Sequence, residues 1–291
     1  MPGSDGAPGR SGSDKDEEDL AELARSYDWH VRRKVAWNPC TPAEILNVLA
    51  RDAVQWVREA VAGNANAAQS FLERLAEDSS GYVRAAVALN GQTPSLVLEM
   101  LAGDEMVDYD STLQKNRYLV KEAAARNRNI NAETLAFLAR DSDEHVRAAA
   151  AFNPLLTAET MNRMVKDVSW LVRNNIASNL STPEDLLIYL SADRIMDVRA
   201  TAAVNPRTPV AALAALAADK SWEVREAVAR NPNLAEKDLE ELSCHWAWKV
   251  REAVAQNPRA TMEILQRLAE DQDQSVQKAA KTMSRNRCLF R

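Results

Sequence analysis

The chain has 291 residues, a net charge of −6 from 42 acidic against 36 basic side chains, and three cysteines. The acidic balance excludes a global positive field that would gather nucleic acid or an anionic membrane, although a local basic face stays open. Cys40, Cys244 and Cys288 are far apart, odd in number and form no CxxC pair, which argues against a disulfide framework, a zinc site or an iron–sulfur site and fits a reducing compartment. No apolar run approaches the roughly 18 residues of a membrane span, and the N-terminus lacks a signal peptide's basic-then-apolar plan, so a soluble cytoplasmic protein is expected.

Residues 1–13 are mostly Gly, Pro and Ser with little to bury. Gly3, Gly6, Gly9 and Gly12 have collagen spacing, but four triplets of one chain cannot make a triple helix, so a disordered tail is expected. Order should begin near Asp14, where Asp16-Glu17-Glu18-Asp19 suits a helix N-terminus leading into Leu20 and Leu23. Residues 14–26 are then an N-terminal cap on a single domain, 14–291, and residues 276–291, with Lys278, Lys281, Arg285, Arg287 and Arg291, a basic C-terminal cap.

Between the caps one phrase recurs. Its Val stands at Val31, Val57, Val83, Val120, Val146, Val172, Val198, Val224, Val250 and Val276, in steps of 26 residues except for one of 37. A period in this range signals a solenoid, whose units bury their apolar faces only against neighbours. In the unit from Trp29 to Asp52, Val31, Val35 and Ala36 form the stripe of a first short helix, and Asn38-Pro39 ends it. The Asn is expected to take the left-handed conformation just past the helix. Thr41-Pro42-Ala43-Glu44 reads as a capping box opening a second helix that buries Leu46 and Leu49. Nothing alternates with period two over a strand's length, so no sheet is expected. The long step holds eleven extra residues, 105–115, which should loop out from one face.

The unit V-R-x-x-V/A-A-x-N-P, followed by T-P and L-x-x-L-A-x-D, resembles the leucine-rich repeat variant family of bacterial proteins and, more distantly, HEAT repeats, from Leu20 to about Thr282. The resemblance implies an all-α, right-handed α-solenoid of about ten two-helix repeats, with one helix of each pair able to be 3₁₀. It also implies a scaffold or interaction module. One family member holds an iron–sulfur centre in an N-terminal cysteine cluster; that cluster is missing here, so no cofactor is carried over.

The residue after each Val but the last forms a basic ladder, Arg32, Arg58, Arg84, Lys121, Arg147, Arg173, Arg199, Arg225 and Arg251. An acidic ladder shares its period: Asp52, Asp78, Asp104, Asp141, Asp167, Asp193, Asp219 and Asp271. Pairing each base with the Asp 20 residues later uses every member except Arg225, which meets His245. The ladders are therefore expected to be internal braces. The Asp side chains should be free for this, because Asp28, Ser80, Asp143, Ser169, Ser221 and Asp273 lie nearer the helix starts and suit the capping role. The alternative, a nucleic-acid binder, would need the same Arg and Lys side chains on an open basic face.

Aromatic side chains cluster just before the repeated Val: Trp29, Trp56, Tyr82, Tyr118, Trp170, Trp222 and Trp248, with Tyr109 in the insertion. Such rings more often seal loops than bind partners, yet they are the candidate partner-binding stripe. The insertion carboxylates at Asp104, Glu105, Asp108 and Asp110 lack the pattern of a calcium loop. Cys244 beside His245 could suggest an activated thiolate, but no third group is identifiable. His30, His145 and His245 lie in distant units, so no catalytic or metal constellation can be assembled. The expectation is a non-enzymatic scaffold for a protein or peptide, laid along the concave face or against the insertion, with no membrane or small-molecule substrate.

Overall fold

The computed structural model describes residues 12–110 and 115–289, so the expected tail up to position 11 lies outside the described residues. The chain divides into two compact units at Val146/Arg147. In the first, α1 (Gly12–Leu23) precedes the helix pairs α2 (Trp29–Trp37) with α3 (Ala43–Leu49), α4 (Gln55–Gly63) with α5 (Gln69–Leu75), and α6 (Gly81–Leu89) with α7 (Ser95–Ala102). A hairpin of β1 (Asp108–Asp110) and β2 (Lys115–Arg117) follows, then α8 (Leu119–Arg126), α9 (Ala132–Leu138) and the start of α10 (Glu144–Phe152). The second unit continues with α11 (Ala158–Met164), α12 (Trp170–Ser178), α13 (Glu184–Ser191), α14 (Met196–Val204), α15 (Val210–Ala217), α16 (Trp222–Arg230), α17 (Glu236–Leu242), α18 (Trp248–Gln256), α19 (Met262–Leu268) and α20 (Gln274–Leu289).

The fold is an α-solenoid, and both helices of each repeat are α, so the 3₁₀ option is not used. First helices pack in series, α2 on α4, α4 on α6 and α6 on α8 in one unit, and α12 through α14, α16 and α18 to α20 in the other. The repeated Val and Ala fill those contacts: Val57, Val61, Val83 and Val87 are fully buried, as are Val198, Val224 and Val250. The paired Leu of the second helices close the core from the other side, and each such burial is worth about 1.5–3 kcal/mol. Leu20 and Leu23 do not repeat this burial: Leu20 is half-buried and Leu23 is exposed. At the other end α20 is one 16-residue helix that buries Val276 and Ala280 against α18 and α19.

Three local expectations are corrected. The insertion is no open loop: β1 and β2 pair antiparallel, Asp108 opposite Arg117, and the hairpin reaches two residues beyond position 115. The recurring Asn is not left-handed, since Asn38, Asn64 and Asn205 sit at φ near −65° with extended ψ. Its value lies across units. Asn64 Nδ2 donates to the carbonyls of Ala36 and Asn38, at 2.8 and 3.0 Å, while its Oδ1 accepts from the Asn66 N–H at 2.8 Å. Thr41 is no cap either; it is buried and donates to the Val35 carbonyl at 2.6 Å, leaving Pro42 at the N-cap of α3 without a side-chain bond. Thr93, Thr182 and Thr208 repeat this bond, whereas the units opening with Asn131, Thr157 and Thr261 do use those side chains as caps.

Candidate interaction surface

The two charge ladders meet inside the array. Arg32, Arg58, Arg84, Arg147, Arg173, Arg199 and Arg251 each present Nε to the Asp 20 residues later, at N···O distances of 2.5–2.8 Å. Nη2 takes the second carboxylate oxygen, giving the two-pronged geometry suited to a guanidinium. Lys121, after the insertion, makes one bond to Asp141 at 3.0 Å. The guanidinium also reaches backwards. Arg58 Nη1 donates to the carbonyls of Asp52 and Ala53, at 2.8 and 3.2 Å, so one side chain ties two successive inter-unit loops together.

The Asp side chains also hold the loops that precede the first helices, without capping a helix: Asp52 Oδ1 accepts the N–H of Val54, itself the N-cap residue of α4, and Asp193 Oδ1 that of Ile195, the N-cap residue of α14, both at 2.8 Å. Asp28 and Asp143 bond helix-start N–H groups as expected, while Ser80 and Ser221 make no side-chain cap. Burial pulls the carboxyls of Asp52, Asp78, Asp167, Asp193 and Asp219 up, but the Arg partner and the loop N–H outweigh it and hold them below the ordinary aspartate range.

His245 breaks the ladder. Its Nε2 stands 3.1 Å from Arg225 Nη1 and its Nδ1 3.1 Å from the Ala247 nitrogen, so both ring nitrogens face N–H donors and not the neighbouring thiol. Burial and the charges of Arg225 and Arg251 lower its pKa. Cys244 is exposed, with Sγ 3.8 Å from Ser243 Oγ. Of the insertion carboxylates, Asp104 is committed to Arg84 and Glu105 is exposed; the side chains of Asp108, Asp110 and Tyr109 lie outside the described residues. Among the described residues no three His, Cys, Asp or Glu groups are placed to share a metal ion, and no helix is long and apolar enough to cross a membrane.

The candidate aromatic stripe occupies two positions rather than one. Trp29, Tyr118, Trp170, Trp222 and Trp248 stand two residues before the repeated Val, and Trp56 and Tyr82 one before. Most rings are half covered: Trp29 stacks on His30 at 3.7 Å, Trp56 leans on Tyr82 at 5.7 Å, and the Lys249 ammonium lies over Trp222 and Trp248. Lys121 lies over Tyr118, and Trp170 is open to solvent.

A second row escaped the sequence analysis. The residue just before the recurring Asn, at the C-terminal end of each first helix, is exposed and apolar at Trp37, Leu89, Phe152 and Val204, each 54–60% accessible. The signal was present at the same period, in a position whose other members, such as Gly63 and Arg126, disguise it. In the first unit this row borders a cavity of about 430 Å³, walled by α4, α6, α8 and Arg117 of the hairpin.

The leucine rich repeat variant family model matches residues 196–221. Among solved structures the chain is similar to a leucine-rich repeat variant with a novel repetitive protein structural motif, at 24% identity and a TM-score of 0.55, covering 80% of this chain and 88% of that one. An importin beta structure aligns over 92% of this chain and 50% of its own at 12% identity, with a TM-score of 0.41 that supports no comparison beyond the alignment. No curated protein sequence matches.

Proposed function

Because the chain is a repeat protein of the leucine-rich-repeat-variant type, we propose that it acts as a non-enzymatic cytoplasmic scaffold, each unit binding a protein or peptide segment at the exposed apolar ends of its own first helices. The observation that supports this reading most is the division of labour between side chains. The basic ladder that a nucleic acid would need is spent on Asp partners, whereas Trp37, Leu89, Phe152 and Val204 are left open to solvent. Large exposed apolar side chains in periodic register favour a partner that buries them.

The test is affinity capture from the native host with three proteins: the wild type, Leu89→Glu with Phe152→Glu, and Leu96→Glu as a control on a second helix. Capture of a nuclease-resistant polypeptide that is lost in the first variant and kept in the control supports the proposal. Capture that depends on nucleic acid and falls steeply with salt contradicts it. Deleting residues 105–115 in parallel decides whether the insertion contributes.

A further inference from the structure

The cavity beside the hairpin owes its existence to missing side chains. Glu59, Ala85 and Glu122 occupy the same place in three successive units, and Ala85 leaves open the space that its neighbours' longer side chains would fill. Gly63 opens it further: a Cβ there would stand 2.7 Å from Trp37 Cζ3, so only glycine lets the Trp37 ring lie where it does without shifting. Trp37 and Tyr82 supply aromatic surface, and Tyr82 is held by its contact with Trp56.

The lining carries two carboxylates, Glu59 and Glu122, and two guanidiniums, Arg117 and Arg126, both of which lie on the Glu122 side. Glu122 is almost fully buried and is matched by Arg117, which bonds both of its oxygens. Glu59 has no such match. Its Oε2 is shut off from solvent and has no hydrogen-bond partner among the described residues, although the side chain lines the cavity. Burial raises the Glu59 pKa, and the charge of Arg33 opposes that rise. A carboxylate kept without a partner is costly in the free protein and useful when a donor arrives from outside. Terminal carboxylate rotation is soft, so both oxygens can turn to meet it.

We propose that this cavity is a subsite for an arginine side chain of the partner peptide, with the guanidinium bonded to Glu59 and laid against Trp37 and Tyr82. A planar guanidinium both pairs two-pronged with a carboxylate and stacks on aromatic faces, which an ammonium does less well. The volume falls in the range of sites for small groups. The subsite rests on the peptide-scaffold proposal above and gives it a chemical preference.

The probe is the peptide acetyl-Ala-Arg-Ala-amide, titrated into the intact chain while the Trp37 indole N–H resonance is followed. The expected result is a saturable shift that weakens at least tenfold with the isosteric citrulline peptide, and equally with Glu59→Gln. Ala85→Leu should abolish it, and free arginine amide should bind more weakly than the peptide. Glu59→Gln should melt at the same temperature or higher, because it removes an unmatched charge; a purely structural Glu59 would make the variant melt lower. Equal response to the citrulline peptide, an unchanged affinity of Glu59→Gln, or a lowered melting temperature overturns the subsite. The citrulline comparison needs no variant, so misfolding cannot obscure it. If the wild type captures its partner yet ignores the arginine peptide, the subsite fails and the scaffold reading stands; if both fail, so do both.

Discussion

His245 Nε2 faces Arg225 Nη1 across 3.1 Å, at the ladder position where other units place a carboxylate. The ring is caught between two donors, because the Ala247 N–H points at Nδ1. A neutral imidazole has a single acceptor nitrogen, so one donor is always unmatched, and an imidazolium would match neither. Arg225 and Arg251 both add positive charge beside it, and Arg251 Nη1 also holds the His245 carbonyl. The folded pKa therefore lies below the ordinary 6.5 or so. Between these two values the unfolded chain binds more protons, so stability is complete above the ordinary value and is lost as pH falls towards the folded one. Replacing His245 with Asp should add about 1 kcal/mol at pH 7 and remove that loss. Urea unfolding of both proteins at pH 7.5 and 5.5 checks it; parallel pH responses would count against the account.

Arg173 and Asp193 are the most buried rung, with side-chain accessibilities of 6% and 5%. Arg173→Ala leaves the carboxylate and the carbonyls of Asp167 and Val168 without their donor, which should cost about 2–4 kcal/mol. A double-mutant cycle with Asp193→Ala should give a coupling of at least about 1 kcal/mol. Strict additivity would mean that the rung is only a neighbourly placement. The lowered carboxyls of the acidic ladder add a pH signature. Their stabilisation is complete above the ordinary aspartate value near 3.9 and is lost as pH falls below it.

Asn205 separates donation from simple polarity. Its Nδ2 donates to the carbonyls of Ala177 and Asn179, at 2.8 and 3.2 Å, and its Oδ1 accepts from the Arg207 N–H at 2.9 Å. Asn205→Asp keeps the acceptor, loses both donations and sets a charge against two carbonyl oxygens, so about 3 kcal/mol or more should be lost. Asn205→Ala should cost less, about 2 kcal/mol. Chemical unfolding of the two variants gives the order, and an aspartate variant as stable as the wild type would exclude the cross-unit role.

Gly63→Ala tests how closely the cavity wall is fitted. Alanine is the better helix former by about 1 kcal/mol, but its Cβ would collide with the Trp37 ring, which is exposed and can swing aside. Stability should change by less than about 1 kcal/mol while the Trp37 indole resonance moves and affinity for the arginine peptide falls. An unmoved resonance would show that the ring does not rest on Gly63.

The array was legible in the sequence because each unit repeats the same burial: Val57 and Val61, then Leu72 and Leu75, recur at one period, and period alone identifies stacked units. The register of Arg58 with Asp78 could be read for the same reason, since two ladders of equal period have few ways to pair. The conformation of Asn64 and the buried bond of Thr41 could not. A helix stop and a cap are what the local residue types suggest, whereas the Asn64 partners lie in the preceding unit and the Thr41 hydroxyl turns back to the Val35 carbonyl of the helix before it. The cavity was least legible, because it is made by what Gly63 and Ala85 lack, and Glu59 reads as one more surface carboxylate until its surroundings are known. The row through Leu89 and Phe152 was hidden by Gly63 and Arg126, which interrupt its apolar character in sequence.

The scaffold proposal is tested most directly by placing a photo-crosslinking residue at Leu89, and separately at Leu96, in the intact protein within its native host. Both side chains are exposed and apolar, Leu89 on the first-helix row and Leu96 on a second helix, so exposure alone predicts equal yields. The account predicts a discrete polypeptide adduct from position 89 and little or none from position 96. Equal adducts from both positions, or nucleic acid in place of polypeptide at position 89, would contradict it.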